Sequence, residues 1–143
     1  MLRYFFKLLI FIVPSLVSAS ELYGSVTISS LVSVYDGDTF KVDITHYPPL
    51  IGQHISIRIN GVDTPEMRSK CEQEKALARK AKQYTLTKLR SAKMIELRNM
   101  QRDKYFRIVA DVYADGQSLG EGLVGEGLAV VYYGGKKVKD WCD

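Results

Sequence analysis

The 143-residue sequence is poor in the residues that build soft-metal sites and disulfide scaffolds, since it has two cysteines and two histidines. Cys71 and Cys142 are far apart, and no histidine is near either of them in the sequence, which argues against a zinc site. No cysteine lies directly after the N-terminal apolar segment, which disfavours a lipoprotein. An even number of cysteines in an exported chain is usually paired, so a Cys71–Cys142 disulfide is expected if the chain is exported.

The N-terminus lacks an apolar run long enough to cross a membrane. Arg3 and Lys7 precede an apolar stretch over residues 8–17, and small residues follow, which is the layout of a secretory signal. The stretch is shorter than the roughly 20 residues that a spanning helix needs, and Pro14 interrupts it. We therefore expect residues 1–19 to be a cleaved signal peptide. The mature protein is expected to be a periplasmic or secreted monomer without stable membrane association.

No internal repeat or low-complexity linker divides the chain, and its length favours one domain over residues 20–143. The formal net charge is +4, but its distribution is more informative. Residues 68–107 contain thirteen lysines and arginines against four acidic residues. A cationic face attracts phosphate chains, whereas a solvated helix face produces the same run. Charge alone leaves both interpretations open.

Alternating apolar and polar residues indicate strands around two turn signals. Asp36-Gly37 lies within residues 25–44 and Asp115-Gly116 within residues 104–119, so both stretches are predicted as hairpins. Side chains alternate along a strand, so each run presents one apolar row. Two of these rows are Phe40, Val42 and Ile44, and Ile55, Ile57 and Ile59.

The apolar period changes after Pro65, and residues 72–90 are predicted as a helix. About five strands with this helix inserted after the third indicate an OB-type barrel, an α+β or mainly β fold with inserted and C-terminal helices. A simple α+β sandwich is the alternative. The other predictions are a loop over 45–53, a short helix over 119–128, a last strand over 128–133 and an irregular tail over 134–143.

Two apolar rows end in aspartates. Counting by twos, the first row runs back to Asp38 and the second runs forward to Asp63. If the two strands are antiparallel neighbours, both carboxylates lie at the same mouth of the barrel. Facing carboxylates repel unless a cation lies between them. The pattern is therefore compatible with a site for a hard divalent cation such as Ca²⁺.

The same residues also have ordinary structural explanations. Asp38 belongs to a DGDT turn. In DTPE, Thr64 is a candidate N-cap, Pro65 a candidate first helical residue, and Glu66 suits the positive end of the helix dipole. These explanations do not exclude a metal site, because a cap would also fix the direction of Glu66.

Two arginines lie on the strand faces opposite the apolar rows of side chains. Arg58 lies on the face opposite the isoleucine row, and Arg107 lies opposite a predicted row formed by Phe106, Ile108 and Ala110. A single surface arginine is ordinary. The informative feature is the combination of two arginines with three acids in the same region.

Three segments, YDGDTFKV, IRINGVDTPE and DKYFRIVADVYADG, are followed by a weaker one, GLVGEGLAVVYY. In this order and spacing they resemble the staphylococcal-nuclease-like family, the thermonucleases, over roughly residues 25–133. The resemblance implies a five-stranded OB barrel. It also implies a secreted, Ca²⁺-dependent, nonspecific endonuclease that hydrolyses DNA and RNA to 3′-phosphate ends.

The resemblance assigns roles to individual positions. It implies that Asp38, Asp63 and the Thr64 carbonyl bind Ca²⁺, and that Glu66 is the general base. The remaining assignments are Arg58 and Arg107 for the scissile phosphate, and Lys104, Tyr105 and Tyr133 for the neighbouring phosphate and base.

Two features depart from the family pattern. Longer members have an extended C-terminal helix, and we interpret the pair Cys71 and Cys142 as a staple that replaces it. Phe106 stands where a small residue is often found.

Two other functions are compatible with parts of the pattern. A non-catalytic OB module that binds nucleic acid or protein would have no need of Glu66. An exported structural Ca²⁺ protein would explain the aspartates but not Arg58 and Arg107. The complete set of acids and arginines favours the nuclease.

Overall fold

The computed structural model describes residues 22–143, and the predicted signal peptide lies outside the described residues. The helices are α1 (Pro49–Gly52), α2 (Glu72–Ser91) and α3 (Leu119–Gly125). The strands are β1 (Val26–Thr27), β2 (Ser30–Val34), β3 (Thr39–Asp43), β4 (Ile55–Ile59), β5 (Val62–Asp63), β6 (Ile95–Arg102), β7 (Ile108–Ala114), β8 (Gln117–Ser118) and β9 (Val130–Val131). None of the helices in residues 22–143 is long and apolar enough to span a membrane.

In the described part of the chain, a seven-stranded sheet has the order β1-β6-β7-β4-β3-β2, with β8 paired to β7. The two ends of this order, β1 and β2, belong to one segment that changes partner in its middle. The Ile28 amide donates to the Ile95 carbonyl, and the Ser29 amide donates to the Asp43 carbonyl. This switch curls the sheet into a partly closed barrel. The predicted OB-type fold with mixed α+β structure is therefore confirmed.

The barrel interior contains the predicted apolar rows. Phe40 and Val42 are fully buried on β3, and Ile57 and Ile59 are buried on β4. The strands are antiparallel neighbours, with Phe40 opposite Ile57 and Thr39 opposite Arg58. Each such buried side chain contributes about 1.5–3 kcal/mol relative to exposure. The alternating pattern thus fixes the register that brings the ends of both rows together.

Both predicted hairpins form. The first joins β2 to β3 through Asp36–Asp38, and the second joins β7 to β8 through Asp115 and Gly116, which both have positive φ. Helix α2 matches the predicted helix, and α3 matches the short one. The predicted loop over 45–53 includes the single turn α1. The predicted last strand is reduced to β9, which pairs with β5 in a separate two-stranded sheet.

Two local predictions are wrong. The chain is not helical at Pro65, and α2 begins at Glu72 with Cys71 as its N-cap. Thr64 does not cap a helix, because its amide and its hydroxyl both donate to Asp38. Phe106 is not part of a buried row either. It is 79% exposed with φ +68° in the turn before β7.

The C-terminal tail is irregular and is anchored beside the start of α2. Cys71 and Cys142 form a disulfide, with their Cα atoms 6.0 Å apart. Trp141 is buried next to this anchor, and the Lys139 ammonium lies 5.4 Å from the centroid of the Trp141 ring. The tail is therefore fixed against the body near its end, and Lys137 of the tail lies at the mouth of the barrel.

Candidate active site at the mouth of the barrel

A polar cleft of about 540 Å³ opens at the mouth of the barrel. Its walls come from the β2–β3 turn, β4, the segment after β5, the β6–β7 turn and the C-terminal tail. The predicted site residues that line it are Asp38, Arg58, Asp63, Thr64, Glu66, Lys104, Tyr105 and Arg107. The fold thus gathers side chains that are up to 69 positions apart in the sequence.

Asp38 is buried at the end of the β2–β3 turn and is held by several donors. Its Oδ2 accepts hydrogen bonds from the Thr64 amide at 3.1 Å and the Thr64 hydroxyl at 2.9 Å. The same oxygen forms an ion pair with Arg58 Nη1 at 2.6 Å. Its Oδ1 accepts from the Thr39 hydroxyl at 2.9 Å. These contacts fix the carboxylate at the barrel mouth.

Asp63 lies beside Asp38 because Arg58 reaches both acids. Arg58 Nη2 is 3.7 Å from Asp63 Oδ1 and donates to the Val62 carbonyl at 3.0 Å. Asp63 itself is buried on the short strand β5, opposite Val130 of β9. The two aspartates therefore share one mouth.

Asp36 is a third aspartate in this cleft and is absent from the predicted site. Its Oδ1 accepts a hydrogen bond from the Asp38 amide at 3.1 Å. Burial and the negative charge of Asp38 raise the pKa of the Asp36 carboxyl to about 6. The sequence signal is the first letter of DGDT, which turn chemistry alone explains.

The donor set fits a hard divalent cation. Asp36, Asp38 and Asp63 supply carboxylate oxygens at one mouth, and the adjacent Thr64 offers a backbone carbonyl. Ca²⁺ prefers oxygen ligands of these two kinds.

Glu66 lies in the turn-forming segment after Thr64, and its side chain is 58% exposed. Its backbone amide donates to Glu74 Oε1 at 2.9 Å, so the first turn of α2 positions the Glu66 backbone. Glu74 was not predicted as a site residue, because in the sequence it is one helix former among many.

Arg107 is positioned by Asp103 in the β6–β7 turn. Its Nε donates to Asp103 Oδ2 at 2.8 Å, and Asp103 Oδ1 accepts the amides of Tyr105 and Arg107 at 2.9 Å each. Burial opposes the charge on Asp103, but these hydrogen bonds outweigh it and lower the pKa of the carboxyl. Tyr105 is exposed at the cleft, with the Arg107 guanidinium 5.4 Å from its ring centroid.

Residues 56–141 match the family model described as staphylococcal nuclease homologue. The chain belongs to the staphylococcal nuclease family.

Several relatives carry nuclease names. Endonuclease YncB of Bacillus subtilis is 36% identical over 100 residues, which cover 68% of this chain and 44% of that protein. The probable endonuclease lcl3 of Schizosaccharomyces japonicus is 32% identical over 143 residues, which cover 84% of this chain and 59% of that protein. The thermonuclease of Staphylococcus hyicus is 31% identical over 100 residues, which cover 69% of this chain and 56% of that protein. This chain thus spans about half the length of these curated relatives.

This member of the staphylococcal nuclease family does not bring Tyr133 into the cleft. Tyr133 is 81% exposed in a neighbouring groove, and its ring is close enough that a Cβ on Gly61 would lie 3.0 Å from it. Tyr132 lines the cleft instead, and its hydroxyl donates to the Gly135 carbonyl at 2.7 Å. Adjacent side chains of an extended segment point to opposite faces, so only one of the two tyrosines can face the cleft.

Lys137 also enters the cleft and is absent from the predicted site. Its Nζ lies 2.9 Å from Asp63 Oδ1 and 2.9 Å from Glu66 Oε1. Burial opposes the charge, but the hydrogen bonds to Glu66 and Asp63 outweigh it and raise the pKa of the Lys137 ammonium above its ordinary value. The position of Lys137 depends on how the tail is anchored. The sequence around Lys137 does not predict that anchoring.

Proposed function

We propose that this protein is a Ca²⁺-dependent endonuclease of the staphylococcal nuclease type. It hydrolyses phosphodiester bonds of DNA and RNA to leave 3′-phosphate and 5′-hydroxyl ends. The observation that carries the proposal is the convergence of Asp38, Arg58, Asp63, Glu66 and Arg107 on one cleft in a member of this family. The N-terminal pattern of residues 1–19 supports export to the periplasm or the exterior.

The residues that would hold the cation are Asp38 and Asp63, through their carboxylates, and Thr64, through its carbonyl. When bound, Ca²⁺ supplies a Lewis acid that draws charge from a phosphate oxygen. Asp36 adds a further carboxylate to the same mouth. Because Asp38 already accepts two hydrogen bonds from Thr64, the two ligand-bearing residues keep a fixed mutual position.

Glu66 is the group suited to remove a proton from the attacking water. Its exposed carboxylate faces the cleft from a backbone that Glu74 holds. As the new bond from water oxygen to phosphorus forms, the bond from phosphorus to O5′ breaks, Glu66 takes a proton of the attacking water, and the leaving oxygen takes a proton from solvent water. General-base assistance of this kind contributes about 10²–10⁴-fold in rate.

Arg58 and Arg107 line the same cleft and are suited to the phosphate. A guanidinium donates paired hydrogen bonds to phosphoryl oxygens and counters the charge that builds on them. Each of the two is already oriented by an acid, Arg58 by Asp38 and Arg107 by Asp103. Little ordering therefore remains when a phosphate binds.

Low sequence specificity follows from the exposed groups around the cleft. Tyr105 offers a ring on which any base can stack, and Lys104 offers a charge for the backbone. Stacking on aromatic side chains is tolerant of sequence and favours single strands.

Digestion of plasmid DNA, single-stranded DNA and RNA by the purified, oxidised protein tests the proposal. With Ca²⁺ we expect cleavage of all three, and with EGTA we expect none. The DNA fragments should prime polymerase extension only after phosphatase treatment, because a 3′-phosphate blocks extension. Absence of chelator-sensitive cleavage, or fragments that extend without phosphatase, would contradict it.

A further inference from the structure

The tail brings a positive charge to the oxygens that the proposed reaction needs. Lys137 Nζ lies 2.9 Å from an oxygen of Asp63, a proposed cation ligand, and 2.9 Å from an oxygen of Glu66, the proposed base. An ammonium at hydrogen-bond distance occupies one oxygen of each carboxylate. The Lys137 side chain is 47% exposed, so it can leave this position toward solvent.

The tail is fixed on both sides of Lys137. On one side, the Tyr132 amide donates to the Gly61 carbonyl at 2.9 Å, and the Tyr132 hydroxyl donates to the Gly135 carbonyl. On the other side, Trp141 is buried and Cys142 is bonded to Cys71. A group on such a short tether has a high effective concentration at its binding site. Lys137 is thus held near the two carboxylates even when it is not bound to them.

We propose that Lys137 is a tethered competitor for the divalent cation, held at Asp63 and Glu66 by the disulfide-anchored tail. The inference rests on the proposed cation site. A divalent ion on Asp63 and an ammonium on the same carboxylate repel each other. Cation binding therefore displaces Lys137, and the apparent affinity is reduced by the fraction of molecules in which the ammonium occupies the site. Lys137 in this way sets the Ca²⁺ concentration at which the site fills.

Isothermal titration of Ca²⁺ into metal-stripped protein measures this competition without relying on activity. Lys137→Gln removes the charge and keeps most of the side-chain length. Lys136→Gln is the matched control, because it makes the same change in charge one residue earlier in the exposed tail. We expect Lys137→Gln to bind Ca²⁺ at least about fivefold more tightly than the parent, which is the lower end of typical coupling between sites. We expect the Ca²⁺ affinity of Lys136→Gln to stay within about twofold of the parent value, as for a solvent-screened charge.

The outcomes separate this inference from the proposed function. Equal affinities for the two variants would overturn the competition while leaving the cation site intact. Weaker binding by Lys137→Gln would also overturn it, since Lys137 would then support the site. If neither the parent nor any variant binds Ca²⁺, both the inference and the Ca²⁺-dependent function fail.

The tether is tested by removing the disulfide in two backgrounds. We expect the double variant Cys71→Ser, Cys142→Ser to tighten Ca²⁺ binding in the parent, because the freed tail holds Lys137 less well. The same double change made with Lys137→Gln should have no further effect. Equal tightening in both backgrounds would show that the tail acts otherwise than through Lys137. Circular dichroism checks the fold of each variant, and should the double variant fail to fold, the comparison of Lys137→Gln with Lys136→Gln decides.

Discussion

At the scale of single residues, Asp103 organises the β6–β7 turn with both oxygens of one carboxylate. One oxygen accepts two backbone amides, and the other accepts the side chain of Arg107. The turn includes Phe106 with positive φ, which costs about 1–2 kcal/mol for a residue with a side chain. The Asp103 carboxylate thus stabilises a strained turn and aims an arginine at the cleft.

The pH dependence of stability follows from the lowered pKa of Asp103. A carboxyl with a lowered pKa in the folded state contributes stability above its ordinary pKa, here 3.8, and loses it as the pH falls through the folded value. Asp103→Asn should therefore cost about 1–3 kcal/mol at pH 7, as for a hydrogen-bonded charged group, and less below pH about 4. Urea unfolding at pH 7, 5 and 3 measures the difference. A cost that stays constant across these pH values would contradict the assignment.

Glu66 allows a sharper test, because its side chain is exposed and contributes little to packing. Glu66→Gln should leave the melting temperature almost unchanged and slow cleavage by about 10²-fold or more, since an amide cannot take the proton. Single-turnover cleavage of an oligonucleotide measures the rate. The exposed Glu126→Gln serves as a control for the loss of one negative charge. Near-normal cleavage by Glu66→Gln would remove Glu66 from the role of base.

At the scale of elements, helix α2 sets the position of the β2–β3 turn. The Thr85 hydroxyl donates to the Gly37 carbonyl at 2.6 Å. A Cβ on Gly37 would lie 2.7 Å from the Ala81 Cβ and 2.8 Å from the Thr64 Cγ2. The turn that carries Asp36 and Asp38 is therefore pressed between the helix and the Thr64 segment, and glycine is required there by space.

Gly37→Ala should be destabilising by about 1–3 kcal/mol, the usual cost of overpacking. It should also weaken Ca²⁺ binding, because the turn must move and carry Asp38 with it. Gly125→Ala is the matched control, since a Cβ there meets nothing within 4 Å. Thermal melts and Ca²⁺ titration of both variants measure the two effects. Equal stability of the two variants would show that the turn relaxes without cost.

The elements also show which predictions the sequence allows. Period-two patterning predicts the barrel rows, because burial on one face forces alternation, and the rows place Asp38 and Asp63 together. The helical period of residues 72–90 predicts α2, which begins at Glu72. The sequence does not exclude Thr64 as an N-cap, because the contact between Thr64 and Asp38 is tertiary. The alternating pattern also does not predict that Phe106 is exposed. Phe106 leaves the apolar row of β7 because the turn before β7 gives it a positive φ.

At the scale of the whole molecule, the parts of the site that depend on the tail cannot be predicted from the sequence. Lys137 reaches the cleft through a disulfide that joins positions 71 residues apart. Whether Tyr132 or Tyr133 faces the cleft depends on which side chains of β9 point inward, and β9 has only two residues. The sequence shows the chemistry of these side chains, but the folded chain determines which of them the cleft receives.

The thirteen cations of residues 68–107 are divided between surfaces. Lys104 and Arg107 line the cleft, whereas Lys80 is exposed on α2 outside it. Lys104→Gln in the Glu66→Gln background should lower the slope of log affinity against log salt for single-stranded DNA by about 0.7, as for one lost phosphate contact. Lys80→Gln should not change it. Fluorescence anisotropy over a salt series measures the slopes, and equal effects would show that the cationic face of α2 also binds the strand.

The partner switch between Ile28 and Ser29 affects how copies of this protein meet. It leaves the sheet with edges of two residues in β1 and five in β2, and the register of β2 slips between Leu31 and Ser33. Short, irregular edges are poor templates for the addition of strands from another molecule. The exposed aromatic side chains around the cleft therefore lie beside a sheet that resists extension, which favours a dispersed solution over fibres at high concentration.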